Sequence, residues 1–102
     1  MEFQNYAYKK ETQMNRVIYK YPLEIADRQG IRLPVGYEIL KIEFQGETLN
    51  LWVSVPQNHD QRETLFLRVV PTGREYEPTG LTFLTTVQQY QGHLIWHIFK
   101  ED

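Results

Sequence analysis

The chain has 102 residues, 41% of them hydrophobic and 14% aromatic, and its eleven Lys and Arg against thirteen Asp and Glu give a formal charge of −2. That length fits one domain hiding roughly 65% of the open chain's surface on folding, and the charge balance disfavours generic nucleic-acid binding, which calls for a clustered basic face. With no cysteine, disulfides, thiolate nucleophiles and Cys-ligated zinc are excluded; no apolar run approaches the ~20 residues of a membrane span, and the start of the chain is the reverse of a signal peptide.

Residues 1–15 mix Phe3, Tyr6 and Tyr8 with Lys9, Lys10 and Glu11 in neither a 2.0 nor a 3.6 period, and are read as an N-terminal arm suited to an interface; Met14 is a plausible alternative start. From residue 16 onward the pattern is that of strands. Val17, Tyr19 and Tyr21 alternate with Ile18 and Lys20 until Pro22 removes a ladder donor, which predicts a strand over 17–23. A connection through Asp27 and Gly30 leads to a short extended piece at 31–33, stopped by Pro34.

The clearest hairpin in the chain comes next. Leu40, Ile42 and Phe44 alternate with Lys41 and Glu43, and after Gln45-Gly46-Glu47 the residues Leu49, Leu51, Val53 and Val55 alternate with Asn50, Trp52 and Ser54. Strands are predicted at 38–44 and 48–55, with Trp52 on the outward face. A polar loop, 56–63, precedes a strand at 64–70 that is apolar on both sides, as a central or covered strand is. The turn-rich stretch 71–80 carries Pro-Thr-Gly at both ends, read as two turns framing a loop. Strands at 81–90 and 94–99 close the chain around Gln91-Gly92-His93.

This inventory predicts an all-β domain over 16–102, a small antiparallel β-sandwich or partly open barrel of six to seven strands. Its predicted core is Leu40, Ile42, Leu51, Val53, Leu67, Phe83, Trp96 and Ile98.

The run Lys20-Tyr21-Pro22-Leu23-Glu24-Ile25 is followed by Asp27, Ile31, Leu33-Pro34, Gly36 and Ile39-Leu40, then by Leu51-Trp52, Thr72-Gly73 and the closing Gly92 and Leu94-Ile95-Trp96-His97-Ile98-Phe99. In these motifs the chain resembles an uncharacterised domain-of-unknown-function family of small proteins found mainly in tailed phages and their bacterial hosts. The resemblance covers about residues 16–99. It implies a viral or prophage setting in the host cytoplasm and supplies no catalytic residues. Two departures stand out: members of that family tend to begin near the first motif, leaving 1–15 unaccounted for, and Tyr37 stands where a small residue is more usual.

No motif names a reaction. His93 and His97 are four apart, a spacing that suits zinc on a helix but separates the rings by ~13 Å along a strand. His59-Asp60 lacks a nucleophile beside it, the sole serine, Ser54, lacks the tight glycine-flanked turn of a nucleophile, and Glu75 and Glu77 read as solvated charge. The six glycines are dispersed, so no phosphate-cradling loop exists. Neither a catalytic set, a metal site nor a cofactor is therefore expected.

What remains is arginine interleaved with aromatics: Arg28 and Arg32 near Tyr37, Arg68 beside Phe66, Arg74 beside Tyr76, and the outward Trp52. Guanidinium forks match phosphate oxygens and flat rings stack on bases, so Arg28, Arg32, Tyr37, Trp52, Arg68, Arg74 and Tyr76 are the candidate ligand-binding residues. Joined to the implied phage setting, they suggest a non-catalytic binder of a host factor. The sharper form of that reading is sequestration of a nucleotide-like immune signal; inhibition of a host defence protein by direct contact is the alternative, and a nucleotide-directed hydrolase or minor virion component a second one. A thin core, the arm and the outward Trp52 also point to a homo-oligomer.

Overall fold

The computed structural model describes residues 15–58 and 60–102, so the predicted arm, apart from Asn15, and His59 lie outside the described residues. Among the described residues seven strands follow one another: β1 (Arg16–Leu23), β2 (Arg28–Pro34), β3 (Glu38–Gln45), β4 (Thr48–Pro56), β5 (Arg62–Pro71), β6 (Leu81–Gln89) and β7 (Leu94–Glu101). Every pairing is antiparallel. The strands form two sheets, one of three in the order β1-β4-β3 and one of four in the order β2-β5-β7-β6. Among the described residues there is no helix, and the predicted all-β sandwich is the observed architecture.

The apolar alternation explains how the sheets stack. Leu49, Leu51, Val53 and Val55 of the central strand β4 are essentially inaccessible and face Leu65, Leu67 and Val69 of β5 and Ile98 of β7 across the interior. Strand β5 lies between β2 and β7, the covered position that its two-sided apolar pattern predicted. Strand β2 begins at Arg28, three residues before the predicted start, because Gly30 is a working strand position. It pairs with Phe66, and a Cβ there would sit 2.9 Å from that ring, so the missing side chain is what lets Phe66 lie across the strand.

Two predicted core residues are not in the core, and both misplacements have one cause. Along β3 the register passes from Ile39 opposite Val53 to Lys41 opposite Trp52, leaving Leu40 as an extra residue that is 50% exposed, while Ile42 stays inside. Along β6 it passes from Phe83 opposite Phe99 to Thr85 opposite Ile98, so Phe83 belongs to the outer face and is 55% exposed although Val87, four residues on, is buried. A bulge adds one residue to a two-residue period, and every side chain beyond it changes face. Trp96 is half-buried and packs against the core as predicted; Ile42, Leu51, Val53, Leu67 and Ile98 are fully part of it.

Candidate binding site

The outer face of the four-stranded sheet is built by the link between β5 and β6. Pro71, at the end of β5, is opposite Trp96 near the start of β7, whereas Leu81, at the start of β6, is opposite Glu101 at its end. Residues 72–80 therefore travel the length of β7 over its outer side. The link is tied down at one end by the Thr72 N–H donating to the Ile95 carbonyl (3.3 Å) and at the other by the Asp102 N–H donating to the Gly80 carbonyl (2.9 Å). The Glu77 carboxylate accepts from the backbone and hydroxyl of Thr79, which hold it below the usual carboxylate range. Midway along, Tyr76 lies on Phe99 with ring centroids 5.0 Å apart, and Phe83 meets the same ring edge-on at 5.5 Å. Phe99 is buried beneath them, while Tyr76 and Phe83 remain about half exposed.

The three rings enclose an open pocket of about 420 Å³ whose other walls include Val70, Arg74, Thr86 and His97. His97 is fixed at its base, with Nε2 2.8 Å from the Thr72 hydroxyl and Nδ1 2.9 Å from the Thr86 hydroxyl. The imidazole thus clamps the start of the link to β6 with both nitrogens occupied, a structural use. His93 sits in the turn before β7, its backbone N–H donating to the Tyr90 carbonyl. Among the described residues no three His, Asp or Glu side chains gather closely enough to hold a metal ion.

The arginines occupy the β2 and β5 half of the same face and are used internally. Arg28 and Arg68 are directly opposed across the ladder, and both turn toward Glu101, at 2.7 Å and 3.8 Å. Arg28 donates to both carboxylate oxygens of Glu101 and lays its guanidinium 4.1 Å from the centre of the Phe66 ring. That hydrogen bond holds the Glu101 carboxyl below its usual range and raises the Arg28 guanidinium. Arg68 also donates to the Asp27 carbonyl, Arg74 to the Asp27 carboxylate, and Arg32 to the Thr64 hydroxyl.

Five of the seven predicted binding residues, Arg28, Arg32, Arg68, Arg74 and Tyr76, therefore belong to one face or its rim. The other two do not join them. Tyr37 packs against the core in the turn between β2 and β3, where burial and then the Glu63 carboxylate push its hydroxyl up. Trp52 points outward as predicted, but from the other sheet, in a shallow depression with Ile18, Leu40 and Phe44. Sequence reading missed Phe83, Phe99, His97 and Glu101. A signal was present: ten residues between two strands are too many for a hairpin, so the link had to cross something, and Tyr76 at its middle was the side chain placed to pack beneath it.

No helix of the described residues is long and apolar enough to cross a membrane. No curated protein and no solved structure matches the chain. Residues 14–102, which contain every strand of both sheets, match the domain of unknown function DUF7352, and the chain belongs to that family.

Proposed function

We propose that this protein is a non-catalytic binding module that engages a protein partner through the outer face of its four-stranded sheet. The observation that carries the reading is the half-exposed pair Tyr76 and Phe83 standing over a buried Phe99 beside an open pocket. Aromatic side chains on a rigid floor are the usual anchors of protein interfaces, because they offer much contact area for little lost rotamer freedom. The ion pairs of Arg28, Arg68 and Arg74 with Glu101 and Asp27 suit a polar rim around such an anchor.

The same ion pairs weigh against the sharper reading, sequestration of a nucleotide-like signal. A phosphate would have to draw Arg28 and Arg68 away from Glu101, and Trp52, one of the flat side chains invoked for stacking, belongs to the other sheet. In the phage setting that the sequence motifs suggest, the partner is a host factor, and binding it without chemistry inhibits it. Native mass spectrometry of the protein isolated from producing cells tests this. Host protein retained by wild type and by Arg28→Ala/Arg68→Ala, but lost with Tyr76→Ala/Phe83→Ala, supports direct inhibition. A small phosphate-bearing mass that vanishes with the arginines would restore the nucleotide reading.

A further inference from the structure

Among the described strands, β1 and β3 are the edges of one sheet and β2 and β6 the edges of the other. Natural sheets guard such edges against pairing with charge, proline or bulges. Strand β1 carries Arg16, Lys20 and Pro22, β2 carries Arg28, Arg32 and Pro34, and β3 carries Glu38, Lys41 and Glu43. Strand β6, LTFLTTVQQ, has neither a charge nor a proline along its nine residues, and its guard is the single bulge at Leu84.

The edges β3 and β6 lie on the same side of the sandwich and bound a groove of about 670 Å³ lined by residues 39–44 of one and 84–88 of the other. They also run in the same direction. Glu38 begins β3 beside Ser54, at the end of the molecule where Arg62 begins β5 beside Pro34, and β6 is parallel to β5 because both are antiparallel to β7. One two-fold axis perpendicular to the sheets therefore sets β3 antiparallel to β3 of a second copy and β6 antiparallel to its own mate.

Charge selects the register. A two-fold centred on Lys41 or on Glu43 would oppose like charges, whereas one centred on Ile42 sets Lys41 against Glu43 of the second copy, twice. It also sets Leu40, which the bulge leaves half exposed, against Phe44 of the second copy. Strand β6, which carries no charge, opposes no like charges in whatever register that axis sets. We infer that a second copy of this chain docks along the β3 and β6 edges about this axis, joining both sheets across an isologous interface.

Lys41 and Glu43 form a 2.8 Å ion pair within the chain and are each more than half exposed, so both can be reversed without touching the core. Sedimentation equilibrium of the full chain should give twice the 12.2 kDa chain mass. Lys41→Glu or Glu43→Lys alone should weaken association at least ~10-fold, the double reversal should restore it, and Gln88→Lys, which places a charge on the β6 edge, should weaken it as well. Far-UV circular dichroism of each variant verifies folding, and Gln88→Lys keeps the test alive if a β3 variant misfolds. A chain still monomeric at about 100 μM, a dimer indifferent to all four variants, or a double reversal that fails to restore pairing would overturn the assignment.

Discussion

Truncating two leucines to alanine, one at position 51 and one at position 40, separates the bulged register from simple alternation. Leu51 is wholly inaccessible in the central strand β4, where it lies opposite Tyr21 and Ile42. Removing its three outer carbons forfeits ~2.4 kcal/mol at about 0.8 kcal/mol per buried methylene. The cavity left in a layer that cannot collapse raises the loss to about 3 to 5 kcal/mol, a large part of the ~5 to 15 kcal/mol available to a domain. Leu40 is 50% exposed, so the same truncation costs about 1 kcal/mol or less, with no cavity to add. Urea denaturation followed by Trp fluorescence, at concentrations low enough to keep the chain monomeric, reads the difference. With a slope of ~1.5 kcal/mol per molar, the Leu51→Ala midpoint should fall by about 2 to 3 M and the Leu40→Ala midpoint by well under 1 M. Equal losses at the two positions would refute the bulge and with it the outward placement of Leu40.

Further expectations test the outer face of the four-stranded sheet. Gly30→Ala drives a methyl into the Phe66 ring, 2.9 Å from the Cβ position, and displaces the ring on which Arg28 rests; a loss of ~1 to 3 kcal/mol by chemical denaturation is expected, whereas a neutral result would show that Phe66 does not lie across Gly30. The Glu101 carboxyl is lowered by Arg28, so its contribution to stability is present above the ordinary carboxylate value of ~4.3 and is lost as the pH falls through its folded value. Glu101→Gln should accordingly lower the urea midpoint slightly at pH 7 and not at pH 2, and an equal effect at both would contradict the ion pair. His97→Ala removes the clamp between Thr72 and Thr86; faster hydrogen exchange at 72–80, with β4 unchanged, is expected.

The strand inventory was legible because alternation is a property of consecutive residues, and β3 and β4 show it most plainly. Legibility ended at the two bulges. Nothing in the residues around Leu40 or Leu84 marks an extra member of the period, so unbroken alternation puts Leu40 inside with Ile42, and Phe83 likewise reads as core. Sheet membership was equally hidden, since β1 pairs with β4, some thirty residues away, and not with its neighbour β2. That is why Trp52 and Arg28 could be grouped on paper although they belong to outer faces of different sheets. The aromatic cluster escaped for a related reason: Tyr76, Phe83 and Phe99 lie on a loop and two strands, and only the path of the link over β7 brings them together.

The central claim, that the outer face of the four-stranded sheet receives a protein partner, is tested most directly by site-specific photocrosslinking in producing cells. A benzophenone side chain replaces Phe83 on that face or, as a control, Ile18, which is 60% exposed beside Trp52 on the other sheet. A covalent adduct of one host protein from position 83, absent from position 18 and abolished when Tyr76→Ala is added, is the predicted result. An adduct from position 18 with none from position 83 would contradict the account and move the binding face to the three-stranded sheet.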